Sequence, residues 1–272
     1  MVPETSGPGA AVSTHRRPTV APPVSVRRMP YVRALMIETT PSSIAAGYAL
    51  LLLIGLPILA AIDAHRGVDL EEAAVHRRAL YASVALSLLV IASVTGGIAA
   101  WQDVTSGDVG WFVESATGGL LWGAGAAAAG LALVWGMTWA ARAAGLTESP
   151  LARLLMPESG AEKAAFLLLS GVAAVCEEYV FRGYLLWALT GWTGSPWFAA
   201  VVVSLSFGLA HGYQKLAGVI RAGTLGMLLA VPTILTGSLF PAIIAHFWIN
   251  GAVGMGGWRH LLAHIDDQTM EI

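Results

Sequence analysis

Three short polar patterns interrupt apolar stretches of this sequence. They are E-E-x-x-x-R at Glu177–Arg182, F-x-x-x-H at Phe207–His211, and H-x-x-x-N at His246–Asn250. Residues four apart share one face of a helix, so Glu178 and Arg182 can pair. Glu177 is turned by about 100° from Glu178 on an ideal helix, and its own i+4 position is Phe181. The Glu178–Arg182 pair therefore reads as support, and Glu177 as the carboxylate left for chemistry. A carboxylate set among apolar groups can take a proton from water as a general base. His211 can orient the same water, and His246 and Asn250 can donate hydrogen bonds to a developing oxyanion. That is a layout for hydrolysing an amide. Glu177, His211 and His246 can equally be read as ligands of a divalent metal such as Zn2+, so hydrolysis with a metal cofactor and with none both stay open. H-E-x-x-H and G-x-S-x-G are absent, which argues against the commonest zinc-protease and serine-hydrolase arrangements.

The elements that must carry these residues are set by composition. Of 272 residues, 15 Lys+Arg and 17 Asp+Glu make 12% charged, 56% are hydrophobic, and mean hydropathy is +0.68. A soluble domain carries roughly 25% charge. The net charge of -2 supplies no pull toward nucleic acid, and one cysteine, Cys176, excludes an internal disulfide framework. The expected fold class is all-α, a polytopic transmembrane helical bundle. Runs of about 20 apolar residues mark a crossing. They fall at about 44–62, 80–101, 116–141, 164–190, 195–212, 222–236 and 238–257. This predicts about seven spans, with room for an eighth. Period-2 strands are absent. Charges in the middle of the fourth run cost on the order of 2.5–3.5 kcal/mol each near the bilayer centre, so Glu177, Glu178 and Arg182 should face the bundle interior together with His211, His246 and Asn250.

The chain divides into four expected segments: an Arg/Pro-rich disordered or interfacial tail (1–43), N-terminal transmembrane helices (44–150), a catalytic helical core (151–257) and a polar C-terminal tail (258–272). Arg66, Arg77, Arg78, Arg142, Arg153, Lys163, Lys215, Arg221 and Arg259 fall in the loops after spans one, three and five or in the C-terminal tail; the loops after spans two, four and six have no Lys or Arg. The positive-inside rule places the first set in the cytoplasm. Seven full crossings would then leave the tail arginines Arg16, Arg17, Arg27, Arg28 and Arg33 outside, against the same rule. The loop asymmetry is weighted more heavily because it is spread over several short loops.

With all three motifs in order on separate apolar runs, the sequence resembles the CPBP family of intramembrane proteases, also called the CAAX-protease and bacteriocin-processing (Abi) family, over about Ala161–Gly257. The resemblance implies a membrane bundle with its catalytic groups sunk below the cytoplasmic face, in a bacterial plasma membrane. It implies that Glu177 activates water with help from His211, that His246 and Asn250 form the oxyanion hole, and that Glu178, Arg182 and Phe207 support the site. It also carries the family's metal-dependent description, with the same Glu and His residues as ligands. The implied partners are the lipid bilayer and a membrane-associated peptide or protein substrate, with no nucleic acid. Two other function classes use the same features. One is a non-catalytic binding or immunity protein on the same fold. The other is a proton-coupled carrier, ranked last because corresponding repeated halves are absent.

Other polar or unusual residues have bland readings. His65 and His76 are expected at the surface of a charged loop. Cys176 is expected to be a packing residue, because its i±4 neighbours Val172 and Val180 supply no cation. The pair His260 and His264, with Asp266 and Asp267, reads as a solvated helix end. Gly118, Gly119, Gly123, Gly125 and Gly130 form small faces for close helix packing. Trp101, Trp111, Trp122, Trp139, Trp192 and Trp197 lie near span ends and read as interfacial anchors.

Overall fold

The structure, a computed structural model, describes residues 42–66, 76–113 and 115–261. Residues 1–41 and 262–272 lie outside it, and with them the tail arginines, His264, Asp266 and Asp267. Among the described residues every regular element is helical. The chain runs α1 (Ser43–Leu50), π1 (Leu51–Gly55), α2 (Leu56–Arg66), α3 (Arg77–Trp101), α4 (Ala116–Ala143), the short α5 (Pro150–Leu154), α6 (Gly160–Glu177), π2 (Glu178–Leu185), α7 (Leu186–Thr193), α8 (Pro196–Ala210), a 3-10 turn (Gly212–Gln214), α9 (Lys215–Thr236), α10 (Phe240–Ala252), π3 (Val253–Gly257) and α11 (Trp258–Leu261). His65 lies within α2 rather than in a loop.

Each of the seven apolar runs is helical, but the count of crossings is not carried that far. Five helices among the described residues are long and apolar enough to cross a membrane: Ser43–Ile62, Arg77–Trp101, Ala116–Ala143, Gly160–Thr193 and Gly212–Thr236. Pro196–Ala210 is a shorter apolar helix, and α10 has 13 residues. Local chemistry sets these limits. Ser42, Ser115, Ser159 and Ser195 cap helix N-termini by accepting a backbone N–H, and Ser159 with Glu162 closes a capping box. Pro196 sits in the first turn of α8, where its missing N–H costs nothing. Gly194 and Gly237 end α7 and α9 with left-handed φ of 68° and 75°.

Packing centres on α10, which touches α4, α6 and α9; α8 lies against α2, α7 and α9, and α3 against α6. The glycine face of α4 does what its small residues suggest. An added Cβ at Gly123 would come within 2.7 Å of Ile244, and one at Gly119 or Gly130 would strike Phe240 or Ile249, all on α10. Between α8 and α9 the backbones themselves meet: a Cβ at Gly208 would lie 2.7 Å from the Val219 carbonyl oxygen and 3.0 Å from Gly223 Cα. The six tryptophans expected at span ends are all exposed, and Cys176 is buried with a free thiol.

Two of the loop cations are not solvated loop residues. Arg77 is buried in the first turn of α3, donating from Nε to the Leu154 carbonyl (2.7 Å) and from Nη1 to Glu162 (3.0 Å). Arg221 lies within α9, buried against Glu148. Paired in this way, it does not end the helix, so α9 starts at Lys215 rather than near residue 222.

Replacing Gly208 by Val should force α8 and α9 apart. Overpacking of this kind costs about 1–3 kcal/mol. The expected result is a lower thermal midpoint in micelles, while Gly125→Ala, where an added Cβ meets nothing within 4 Å, leaves it unchanged.

Candidate active site

The fourth apolar run is not a uniform α-helix. At Glu178 the α-helical ladder of α6 gives way to the eight-residue π segment π2. π-Helical turns are rare and occur often at functional sites. Every residue of π2 except Tyr179 is buried, including Glu178 and Arg182, which are 0% and 1% exposed.

The expected pair forms: Arg182 Nη1 donates to Glu178 Oε1 at 3.0 Å. The same Glu178 oxygen is 2.7 Å from His246 Nδ1, a contact the sequence reading did not contain. An ionised carboxylate only accepts, so Nδ1 carries the proton and Nε2 is the ring atom left for the site. His246 Nε2 lies 3.7 Å from Glu177 Oε2. Glu177 is therefore not isolated, as its i+4 position suggested. The neighbour comes from α10, 69 positions away, and His246 stands between the two glutamates.

The remaining polar groups come from α8 and α10. His211 caps the C-terminus of α8 and donates from Nδ1 to the Phe207 carbonyl at 2.8 Å, which leaves Nε2 as a lone-pair acceptor. Phe207 is more than a helix-face neighbour. Its ring lies 4.4 Å beneath the Arg182 guanidinium, 4.6 Å from the His211 ring and 4.9 Å edge-on to Phe181. It links the buried ion pair to His211 by cation–π and ring packing. Gly226 on α9 leaves room for this arrangement: a Cβ there would lie 3.1 Å from Arg182 Nη2.

Glu177, Phe207, His211, His246 and Asn250 all line one cavity of about 730 Å3. Its walls are mostly apolar, with Leu80, Val84, Phe166, Leu225, Leu229 and Ile249 among them. The four chemistry-bearing residues of the sequence reading thus share one space. A ligand cluster is another matter. Among the described residues, no three His, Cys, Asp or Glu side chains are grouped closely enough to hold a metal ion. The expected set Glu177, His211 and His246 is not gathered into such a group.

The cavity is also lined by Tyr213, Gln214, Ser149 and Arg221, residues the sequence reading did not place at the site. Arg221 had been counted as a loop cation. Its position in the first turns of a long apolar helix was the one available signal, and nothing in the sequence pointed to Glu148 as its partner.

A membrane-type helical bundle with a glutamate–histidine centre sunk in an apolar cavity defines a narrow class of protein. Residues 160–252 match the family model described as Type II CAAX prenyl endopeptidase Rce1-like, which supports a likeness to the CPBP/CAAX proteases over this part of the chain. No curated protein and no solved structure matches the chain significantly.

Arg182 and Glu178 give a direct stability test. Removing one partner of a buried pair costs on the order of 3–5 kcal/mol. Arg182→Ala should therefore lower the yield of folded protein. The paired change Glu178→Gln with Arg182→Met, which leaves no charge behind, should recover most of it, as read by size-exclusion profile and thermal midpoint.

Proposed function

We propose that the protein is an intramembrane endopeptidase in which Glu177 activates a water for attack on a peptide bond of a membrane-associated substrate. The observation that supports this reading most strongly is the shared cavity: Glu177 from α6, His211 from the C-terminus of α8, and His246 and Asn250 from α10 line one largely apolar space. In this reading water sits between the Glu177 carboxylate and the lone pair of His211 Nε2. Glu177 takes one proton as the water oxygen bonds to the carbonyl carbon. The carbonyl oxygen becomes an oxyanion that accepts from the Asn250 amide. His246 donates to it from Nε2 in its doubly protonated form, with Glu178 beside Nδ1 to balance that charge. Glu177 then returns the proton to the amide nitrogen, the C–N bond breaks, and a carboxylic acid and an amine leave.

Glu178 and Arg182 act behind these groups. Glu178 fixes the rotation of the His246 ring, and Arg182 holds Glu178. No step is routed through a metal, because the residues do not group around one. We also infer which way the cavity faces. Its lining includes residues from the segment 149–156 and, from the turn after α8, Tyr213 and Gln214, next to the helix ends that carry Arg142, Arg153, Lys163 and Lys215. By the positive-inside rule that side is cytoplasmic.

The test is cleavage by purified protein in lipid vesicles. The probes are a library of internally quenched apolar peptides and, as the family's namesake substrate class, a prenylated CAAX peptide. Glu177→Gln is expected to abolish cleavage while leaving the thermal midpoint unchanged, and Asn250→Ala to lower kcat about 10²–10³-fold, the size typical of a lost oxyanion donor. Full cleavage by the Glu177→Gln protein would end this mechanism. If no probe is cut and that variant complements a chromosomal deletion as well as wild type, the non-catalytic binding role takes its place.

A further inference from the structure

One buried ion pair has no place in the mechanism above. Glu148, in the connection between α4 and α5, is fully buried and forms a two-pronged bridge to Arg221 on α9: Nη1 to Oε1 at 2.6 Å and Nη2 to Oε2 at 3.0 Å. Such a pair is weak evidence for stability, because well-packed apolar residues often do as well. Its surroundings suggest another role. Arg221 Nη2 also reaches Gln214 Oε1 at 3.5 Å, and Gln214 Nε2 donates to the Tyr213 hydroxyl at 2.9 Å. The Tyr213 ring lies 6.0 Å from the His211 ring, inclined by 31°. Four of the five members of this chain, His211, Tyr213, Gln214 and Arg221, line the cavity that holds Glu177.

The turn it grips is closed by its own backbone bond from the Gln214 N–H to the His211 carbonyl at 2.9 Å, but a strained residue follows it. Lys215, just after the 3-10 turn, has φ of 60°, a left-handed conformation unfavourable for a residue with a Cβ. Gln214 folds back over α9 only because residue 218 is glycine; an added Cβ there would collide with Gln214 Cβ. Helix α8 ends at Ala210, so His211 lies on this turn rather than on a rigid helix. Its Nδ1 bond to the Phe207 carbonyl and the Phe207 ring hold one side of the imidazole, and the Tyr213 ring is its neighbour on the turn side.

We propose that the Glu148–Arg221 ion pair is a positioning element that acts through Gln214 and Tyr213 to hold the His211 imidazole in the cavity facing Glu177. The proposal builds on the hydrolytic reading of that cavity. Neither Glu148 nor Arg221 touches the reacting atoms. They set where His211 stands, and a misplaced group of this kind costs on the order of 10–100-fold in rate.

The test reads His211 itself, so it does not depend on a substrate. Full-length protein in lipid nanodiscs, labelled at histidine Cε1 with 13C, is compared as wild type, Gln214→Ala and Glu148→Gln, with His211 and His246 assigned by His211→Asn and His246→Asn. The expected result is a shifted or exchange-broadened His211 resonance in both variants, with His246 unmoved. If Glu148→Gln unfolds and moves every resonance, Gln214→Ala decides, since it cuts the chain without exposing a buried charge. An unchanged His211 signal in Gln214→Ala, or equal disturbance of His211 and His246 there, overturns the proposal. Where a probe peptide is cut, kcat should fall on the order of tenfold in Gln214→Ala with KM unchanged. Failure of the hydrolytic reading would appear instead as undiminished cleavage by Glu177→Gln, with the His211 result unaffected.

Discussion

A carboxylate and a guanidinium inside an apolar bundle persist only if each finds the other and as many further partners as space allows. Glu178 is where this requirement is concentrated. One of its oxygens accepts from Arg182 on its own helix and from His246 on α10. The structure around it follows from keeping these three groups in contact. The π2 segment turns the Glu178–Arg182 stretch inward, Phe207 covers the outer face of the guanidinium, and Gly226 gives the guanidinium its space. Loosening any of these would leave a charge in hydrocarbon with no solvent to receive it.

The same contact explains why α10 sits at the centre. His246 can reach Glu178 only if α10 lies close to α6, and the bulk on α10 then has to be absorbed on its far side. The glycines of α4 absorb it, as Ile244 and Ile249 pack where Cβ atoms at Gly123 and Gly130 would stand. Close packing by small residues here serves the polar centre, because it sets how near two apolar helices can bring a histidine and a glutamate.

Much of this was legible in the sequence, and the boundary is physical. Hydropathy reports the solvent a residue prefers, so the apolar runs became helices close to the expected limits. Helix periodicity reports neighbours within one element, so the Glu178–Arg182 pair was readable. Neither reports a partner on another element. The contact between Glu178 and His246 spans 68 residues and that between Glu148 and Arg221 spans 73. Hence Glu177 looked isolated, His246 looked like an oxyanion donor or a metal ligand with no carboxylate behind it, and Arg221 looked like a loop cation. The π2 segment was equally invisible, since nothing in the order of residues 178–185 distinguishes it from an α-helix. The same limit applies to the metal set, because three ligand-type residues on three helices become a site only through distances that sequence does not contain.

Two histidines reach the cavity by opposite means, and the difference bears on how the site can work. His246 rises from the middle of a buried helix and is held by a charge that is itself held, so its ring has little freedom. His211 stands one residue past the end of α8, half-buried, with its Nδ1 tied to the last helical turn. A site that must admit a peptide into an apolar cavity needs one wall that can give way without disturbing the buried charges. The α8–α9 turn is the natural one, because moving it strips no partner from Glu178 or Arg182. On the reading proposed here, Glu148 and Arg221 hold His211 on that wall. The pair deep in the bundle and the pair beside the α8–α9 turn then divide the work: the first keeps the charges compensated, and the second keeps the water-orienting histidine in its place.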